Sequence, residues 1–452
     1  MCPKSEIPTD SDRISSLPLE IKISLLSLLD VKDAVRTSAL AHSWRHLWTH
    51  LPRLRLNYRK ERDQLGLGLG LTDAAFHTMW MERVVHLVSS LRGPIIDFRL
   101  SYYCSDHQSV SSLLNLLLQK GGLRKLWLCN YNHTSSVRPL ISLSGFHALK
   151  VLKLSECHLV LPTGFCGFNH LTKLQLLGTQ ISSDDFNLLI RTSRNLTSSV
   201  RLELEAVQDP LSLNLSFPLL RFLQFIVTDS VERVSITSAP CLQEACILHG
   251  FHLTSTSEKL ARVTLGLVTG VAMVSALTLG FDAFKYFSLV ALPFNFTFPR
   301  LRFLTLYVFI CSGDERMYDA SVWVWLLRCM PFLEELELTL VGNDSSRANE
   351  VAILMRELAK KNYGFACLNR TLRSVTISMD ELKVTASVTM AQYFLLNAKV
   401  LKELKIVYVI GSEVVPTVIG ELQKVEIISS DAKVVIFDSK KKREITMLYM
   451  NN

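Results

Sequence analysis

The sequence predicts an α/β protein, in which a short N-terminal segment of three helices precedes a curved solenoid of parallel strands. In the solenoid, strands are expected on the concave face and helices or irregular turns on the convex face. Two observations predict this fold. The pattern Leu-x-x-Leu-x-Leu recurs through the middle of the 452-residue chain, and such repetition is typical of stacked units that share a continuous core. Upstream of it, residues 12–56 carry apolar side chains at helical spacing.

The first predicted helix begins near Leu17. Pro18 suits the first helical position, where its missing N–H costs nothing, and Glu20 in the first turn complements the helix dipole. A single apolar stripe is expected along this helix. It contains Ile21, Leu25, Leu26 and Leu29.

Two further helices are predicted before residue 56. Asp30 is expected to cap the second, which runs from Val31 to about Leu40. Its candidate buried residues are Ala34, Val35 and Ala39, and the third helix passes through Trp44, Leu47 and Trp48. A segment of about 40 residues is too small to bury this much apolar surface against itself. The surplus surface is therefore expected to contact another protein.

The repeated pattern recurs roughly every 21 to 28 residues, which is the period of leucine-rich repeats. Its clear copies begin at Leu123, Leu149, Leu171, Ser199 and Leu220. In the copy from Leu149, Cys157 stands where this type of repeat places Asn or Cys to satisfy backbone groups in the turn. Looser copies begin at Val231, Leu242, Leu260, Val274, Leu301 and Leu333. Helices are predicted over residues 72–91, 322–329 and 389–397, and strands over 372–377 and 401–406.

The repeat also predicts which side chains face outward. The leucines point inward, so the residues between them line the concave face, stacked on their equivalents in neighbouring repeats. The central position carries Trp127, Lys153, Gln175, Glu203 and Gln224, and the outward position before it carries Lys125, Val151, Lys173, Arg201 and Phe222. A Trp beside several lysines predicts a binding patch, because Trp is enriched at interface hot spots. The alternative is a solvated face with one stray Trp.

The candidate target-binding residues are therefore Lys125, Trp127, Lys153, Lys173, Gln175, Arg201 and Glu203. A patch of Lys and Arg on the concave face also leaves open a receptor for a small molecule or an inositol phosphate.

Composition excludes several other classes of protein. A net charge of +8 on a chain this long does not indicate a nucleic-acid binder. The ten Cys residues contain no Cys-x-x-Cys, which favours reduced thiols in an intracellular compartment. Cys104 with His107 and Cys129 with His133 have spacings that zinc could use, but Cys129 directly follows a repeat strand, so no metal site and no cofactor are expected.

The sequence predicts neither a membrane protein nor an enzyme. Residues 263–281 contain no charged side chain, but threonines, a serine and glycines interrupt them. Two short strands, Val263–Leu265 and Leu277–Leu279, are predicted there in place of a membrane span. No nucleophile elbow, HExxH or Walker loop occurs in the sequence, so no catalytic residue is assigned.

Residues 12–56 resemble the F-box. The matching motif consists of Leu17-Pro18, Ile21, Leu25-Leu26-Ser27-x-Leu29, Asp33-Ala34-Val35-Arg36-Thr37-Ser38, Leu40 and Trp44. The resemblance implies docking on the Skp-type adaptor of an SCF (Skp, cullin, F-box) ubiquitin ligase, and through that adaptor on a cullin. The adaptor-binding residues that it implies are Leu17, Pro18, Ile21, Leu25, Leu26, Leu29, Ala34 and Trp44. The sequence departs from the family at Lys22, where an aliphatic residue is frequent, at Asp30, where Pro is usual, and at Ala41-His42-Ser43.

Two C-terminal strings, Pro331–Leu336 and Tyr393–Leu404, resemble the FBD region that ends many plant F-box proteins with leucine-rich repeats. The expected division is a disordered tail (1–11), an F-box (12–56), a linker with a connecting helix (57–98), the solenoid (99–350), FBD-like repeats (351–438) and a basic tail (439–452). The cluster Lys440–Arg443 is either a nuclear import signal or a solvated end, so the cytoplasm and the nucleus are both expected locations.

Together these resemblances imply a non-catalytic, substrate-recognition subunit of an SCF-type ligase, which binds an unknown target protein through its repeats. A small-molecule or inositol-phosphate receptor and a scaffold that works outside the ligase are the alternatives.

Overall fold

The computed structural model describes residues 14, 16–66, 72–103, 107–132, 138–250, 257–280, 286–310, 320–342, 345–361, 363–379, 384–408, 415–424, 428–429, 431–438 and 443–448. The predicted α/β class is confirmed: short N-terminal helices are followed by many parallel strands. The chain forms two compact units, Met1–Leu196 and Thr197–Asn452.

The first unit opens with a small helical bundle. It contains α1 (Leu19–Leu26), α2 (Val31–Arg36) and three 3-10 turns, Thr37–Ala39, His42–Trp44 and Leu47–His50. A mini-core of buried residues holds these elements together, and it consists of Leu26, Ala34, Trp44, Leu47 and Leu51. Val35 was predicted to be buried but is exposed, because α2 turns its Ala34 side alone toward the mini-core. Ala39, also predicted to be buried, is exposed in the 3-10 turn Thr37–Ala39 that follows α2.

The helices are shorter than predicted. α1 begins at Leu19, and Pro18 precedes it in an extended conformation. α2 ends at Arg36, where the hydroxyl of Thr37 donates to the carbonyl oxygen of Ala34 at 2.7 Å. Side-chain bonds of this kind compete with the backbone ladder of a helix. The prediction of a third helix is wrong, because two 3-10 turns occupy its place.

Parallel strands fill the rest of the first unit, with helices between them. The elements are β1 (Arg53–Asn57), α3 (Tyr58–Glu61), α4 (Asp73–Ser90), β2 (Asp97–Tyr102), α5 (His107–Lys120), β3 (Lys125–Asn130), β4 (Leu140–Ser142), β5 (Val151–Ser155), β6 (His158–Val160), β7 (Lys173–Gln180) and α6 (Ser183–Thr192). The main strand order is β1-β2-β3-β5-β7, and β4 pairs with β6. Strands therefore begin at residue 53, ahead of the expected start of the repeats at residue 99.

Helix α4 confirms the amphipathic pattern expected over residues 72–91. The hydroxyl of Thr72 accepts the backbone N–H of Ala75 at 3.4 Å, which caps the helix. Buried side chains recur at intervals of four residues, at Phe76, Trp80, Val84 and Val88, and Met81 beside Trp80 is buried as well. This stripe packs α4 onto the unit, as the helical period requires.

The second unit continues the same construction. Its elements are β8 (Ser199–Glu205), β9 (Leu211–Ser216), β10 (Phe222–Val227), β11 (Val231–Ser238), β12 (Glu244–His249), α7 (Glu258–Gly270), β13 (Ala276–Leu279), β14 (Phe303–Ile310), α8 (Ala320–Cys329), β15 (Glu335–Gly342), α9 (Ser345–Lys361), α10 (Ala366–Arg370), β16 (Ser374–Met379), α11 (Val384–Asn397), β17 (Glu403–Tyr408), α12 (Val415–Leu422), β18 (Lys433–Asp438) and β19 (Arg443–Leu448). The parallel order is β8-β10-β12-β13-β14-β15-β16-β17-β18. Strands β9 and β11 form a separate two-stranded sheet.

The strand expected at Val263–Leu265 is wrong, because these residues lie in α7. The hydroxyl of Ser257 accepts the N–H of Leu260 at 3.3 Å and caps this helix. Its buried residues recur at helical spacing, and they are Leu260, Ala261, Val263, Thr264, Leu267 and Val268. The second expected strand, Leu277–Leu279, is confirmed within β13. Among the described residues, no helix combines the length and the apolar character that crossing a membrane requires.

Two other expectations need correction. In the register of the second unit, Gln224 pairs with Arg201, and Glu203 pairs with Ile226, so the predicted alignment of Gln224 with Glu203 is wrong by two residues. At the C terminus, Arg443–Leu448 forms an antiparallel strand with β18 inside the segment expected to be a basic tail. The rest of the cluster, residues 440–442, lies outside the described residues.

Candidate functional site

Helix α1 has one buried side and one exposed apolar side. Leu26 is 1% exposed and packs into the mini-core, whereas Ile21 is 47% exposed and Leu25 42%. Leu28, in the turn that follows the helix, is 79% exposed, and Leu29 is exposed as well. We call Ile21, Leu25, Leu28 and Leu29 the α1 apolar face. Clusters of exposed apolar side chains mark interaction surfaces.

The predicted adaptor-binding residues divide into two groups. Ile21, Leu25 and Leu29 are exposed, as is Pro18, and Leu17 is half-buried. Leu26, Ala34 and Trp44 are buried in the mini-core, so they support the exposed face from beneath and offer no surface to a partner. Sequence reasoning missed Leu28, although its spacing of three and seven residues from Leu25 and Ile21 was a usable signal.

Lys22 is buried beside Leu26 on the inner side of α1. A lysine can occupy such a position because its aliphatic stem packs against apolar groups while its ammonium reaches water. This departure from the family pattern therefore lies toward the mini-core and away from the α1 apolar face.

Ion pairs join α2 to α3. The ammonium of Lys60 pairs with the carboxylate of Asp30, and Lys32 pairs with Glu61 at 2.8 Å. The expectation that the Asp30 side chain caps α2 is wrong, because it makes no capping hydrogen bond. Its hydrogen bond to Lys60 instead raises the pKa of that ammonium.

Backbone hydrogen bonds tie the helical bundle to the first strands. The carbonyl oxygen of Thr49 accepts N–H groups from Arg92 at 2.7 Å and Gly93 at 3.4 Å. The carbonyl oxygen of Pro52 accepts those of Ile96 at 2.8 Å and Asp97 at 3.1 Å. The bundle therefore passes directly into β1, and β2 is bonded to its end.

The outward residues of β1, β2, β3, β5 and β7 form three rows in register, and we call the two rows that carry charged side chains the basic strand face. The first row contains Arg55, Arg99, Trp127, Lys153 and Gln175. The second contains Arg53, Asp97, Lys125, Val151 and Lys173. The predicted neighbours thus come together in this unit, and Trp127 lies directly between Arg99 and Lys153.

Sequence reasoning missed the three arginines of β1 and β2. The segment at β1 carries the full repeat pattern, Leu51-x-x-Leu54-x-Leu56, and the segment at β2 carries it with Ile95 and Phe98 in place of two leucines. The repeat pattern itself was therefore a usable signal for both strands.

Two cations hold the ring of Trp127. The ammonium of Lys153 lies 4.9 Å from the ring centroid, and the guanidinium carbon of Arg99 lies 5.8 Å from it. Arg99 donates from Nε and Nη2 to the two carboxylate oxygens of Asp97, at 3.0 and 2.9 Å. This bidentate pair raises the pKa of Arg99 and fixes its guanidinium beside the ring.

A cleft of about 1290 Å³ adjoins the basic strand face within the first unit. It is lined by residues of α2, the 3-10 turn Leu47–His50, α3, α4 and the first strands, among them Arg36, Trp48, Arg83, Arg99 and Trp127. A space of this size accommodates a peptide segment as well as a small ligand.

The other two predicted target-binding residues, Arg201 and Glu203, belong to the second unit. The guanidinium carbon of Arg201 lies 5.6 Å from the ring centroid of Phe222. The corresponding two rows of that unit carry three cations, Arg201, Lys405 and Lys433, and four carboxylates, Glu244, Glu335, Glu337 and Glu403. The strand face of the second unit is therefore not basic.

Within the described ranges, no group of three or more His, Cys, Asp and Glu residues could hold a metal ion. Cys104 and His133, two of the four residues with zinc-like spacing, lie outside those ranges. Burial raises the pKa of the Cys129 thiol.

Comparison with known families confirms the F-box motif and the leucine-rich repeats. The F-box domain matches residues 14–56. The leucine-rich repeats of the FBD-associated F-box protein At5g56370 match residues 110–338, which is half of the chain. The chain belongs to the FBD-associated F-box proteins with leucine-rich repeats. In this family context residues 14–56 are the F-box, and neither matched domain is an enzyme domain.

Curated relatives come from a plant. The F-box/LRR-repeat protein At1g55660 of Arabidopsis thaliana is 31% identical over 165 residues, which cover 36% of this chain and 38% of the relative. The F-box/FBD/LRR-repeat protein At2g04230 of the same plant is 32% identical over 184 residues, covering 38% of this chain and 39% of the relative. The chain thus matches less than half the length of either relative.

Proposed function

We propose that this F-box protein is a target-recruiting subunit of an SCF-type ubiquitin ligase. In this proposal the F-box docks on a Skp-type adaptor, and through it on a cullin, while the repeats bind a target protein. Family membership supports a role in protein–protein interaction, and the α1 apolar face supplies a surface for the adaptor.

The observation that carries the proposal is the division of α1 into two sides. Leu26 is buried in the mini-core, whereas Ile21, Leu25 and Leu28 are exposed to solvent. Fully burying one such side chain stabilises a complex by about 1.5–3 kcal/mol, so covering three half-exposed ones contributes on the order of several kcal/mol. A partner with a complementary groove would gain this energy.

The proposed contribution of the chain to the reaction is proximity. A target held on the repeats has its lysines at a raised effective concentration near a conjugating enzyme that the cullin brings to the same complex. No bond-making group of this chain is required for that effect.

Co-purification with a Skp-type adaptor tests the proposal. The full chain is expected to capture the adaptor, and the double variant Ile21→Asp/Leu25→Asp is expected to lose it, because two charges then stand in the apolar contact. Leu219→Asp is the matched control, since Leu219 is 44% exposed in the second unit. All three proteins should unfold at the same temperature. Failure of the unaltered chain to capture the adaptor, or undiminished capture by the double variant, contradicts the proposal.

A further inference from the structure

We propose that the basic strand face binds an extended, acidic segment of the target protein, with an apolar side chain of that segment packed on Trp127. The inference rests on the proposed function, because it names the class of target for the repeats.

Charge is the first argument. Among the ten outward residues of the two rows, six are cations and one, Asp97, is a carboxylate. Asp97 is almost fully buried, and both of its oxygens accept hydrogen bonds from Arg99. Arg53, Arg55, Lys125 and Lys173 form no ion pair within the described part of the chain. An array of one sign attracts a partner of the opposite sign and speeds its association.

The contrast with the second unit shows that this charge is not a general property of the repeats. The equivalent rows there hold more carboxylates than cations. The basic side chains are concentrated on the unit that also contains the F-box.

Spacing favours an extended ligand over a compact one. Neighbouring strands lie about 4.8 Å apart, so the five strands of the basic strand face extend over about 19 Å. An extended peptide advances about 3.3 Å per residue and crosses that distance in about six residues. A compact polyphosphate would instead need cations that converge on one point. In the adjoining cleft, Lys32, Arg36, Lys60 and Arg99 are already paired with carboxylates, which leaves only Arg55 and Arg83 among the described lysines and arginines of its lining.

Trp127 supplies the apolar contact. Its side chain is 39% exposed, and the cations on either side fix the orientation of the ring before any ligand arrives. It is the one aromatic residue in the two rows. Channels for single-stranded nucleic acid stack successive bases on several aromatic rings, so the pattern here favours a peptide.

The test is fluorescence anisotropy with the full chain and a labelled peptide of about twelve residues, enough to cross the face with a margin at either end. Asp and Glu make up roughly half of the probe and surround a single Phe; a matched peptide carries Lys in their place. The acidic peptide is expected to bind, more weakly as salt rises, and the basic one is not.

Three variants assign the binding to this face. Lys125→Glu/Lys173→Glu reverses two unpaired charges and is expected to weaken binding by about tenfold or more. Trp127→Ala is expected to weaken it by about tenfold through loss of the apolar contact. Lys399→Glu/Lys402→Glu makes the same charge change at exposed positions of the second unit and is expected to leave binding unchanged.

Several results would overturn the inference. These are equal binding of the acidic and basic peptides, full binding by the Lys125→Glu/Lys173→Glu variant, and displacement of the peptide by inorganic tripolyphosphate or by a single-stranded oligonucleotide at a lower concentration than by unlabelled peptide. Adaptor capture is measured on the same proteins. A chain that captures the adaptor but binds no acidic peptide contradicts this inference alone, whereas one that binds the peptide but captures no adaptor contradicts the docking proposal.

Discussion

The ammonium of Lys60 in α3 pairs with the carboxylate of Asp30 at the start of α2. The two residues are 30 positions apart in sequence, and their contact fastens the second F-box helix to the segment that follows the first strand. Lys32 and Glu61 make a parallel connection at 2.8 Å. Exposed pairs of this kind are individually weak, so their main effect is to select one orientation of α2.

The pairing predicts a titration shift. The hydrogen bond that Lys60 donates to the Asp30 carboxylate raises the pKa of Lys60, so the pair stabilises the fold below the usual lysine pKa and is lost as pH rises through the raised value. Asp30→Asn is expected to return the pKa of Lys60 toward its ordinary value. Asp33→Asn should produce a smaller shift, since Asp33 acts on Lys60 only through its charge. A pH titration of the Lys60 side chain by NMR measures both, and an unaltered pKa in Asp30→Asn would show that the pair does not form.

Leu26 and Leu28 provide a matched pair for the mini-core. Leu26 is almost fully buried and Leu28 largely exposed. Leu26→Ala is expected to lower the free energy of unfolding by about 2–5 kcal/mol through the cavity it leaves. Leu28→Ala should change it by less than about 0.5 kcal/mol yet weaken adaptor capture. Urea denaturation of both variants and of the unaltered chain measures these changes in the free energy of unfolding. Equal losses of stability would mean that α1 packs with a different face inward.

Gly167 makes a specific steric prediction. Its φ is +92°, and a Cβ there would lie 2.5 Å from the Cβ and 2.6 Å from the carbonyl oxygen of Thr192, at the end of α6. Gly164 has a φ of +77° but no atom within 4 Å of the equivalent point. Gly164→Ala is therefore expected to cost only the left-handed conformation, about 1–2 kcal/mol, and Gly167→Ala clearly more. Thermal unfolding of both variants provides the comparison, and similar losses would exclude the close approach to Thr192.

Cys157 and Cys166 are expected to differ in reactivity. Burial raises the pKa of the Cys157 thiol to about 12, whereas Cys166 is exposed. Only the thiolate reacts, so alkylation of the native protein near pH 8, followed peptide by peptide by mass spectrometry, should modify Cys166 long before Cys157. Modification of both at one rate would contradict the burial.

The Cys157 thiol also makes the free energy of unfolding depend on pH in the alkaline range. Since the pKa of Cys157 is raised on folding, the unfolded chain loses this proton first as pH rises. The free energy of unfolding should therefore fall above about pH 9, and Cys157→Ala should remove this part of the fall in urea titrations at several pH values. An identical pH dependence in the variant would rule out the contribution.

The parts of the fold that sequence predicted correctly are those in which one period dominates. The copies from Leu149 and Leu171 alternate buried leucines with outward residues, of which all but Val151 are polar, and this period of two fits a strand but not a helix. Helix α4 extends over five turns with a regular apolar stripe. The placement of Trp127 beside Lys153 followed from the same alternation.

The failures have local causes. Val263–Leu265 is a short apolar run that fits either period, and the Ser257 cap together with more distant packing places it in a helix. In β8, Val200, Leu202 and Leu204 all alternate correctly, so a shift of two residues keeps every leucine inward. Only pairing with β10 selects the register. Likewise, no residue near Asp30 in sequence indicates that the Asp30 carboxylate will pair with Lys60.

The hydrogen bonds that backbone N–H groups of residues 92–97 donate to the carbonyl oxygens of Thr49 and Pro52 fasten the end of the F-box to the start of β2. The basic strand face and the α1 apolar face are therefore parts of one stiff arm. If both act as proposed, a captured target would be presented to the ligase at a single angle and distance. The geometry of that arm would then determine which lysine of the target receives ubiquitin.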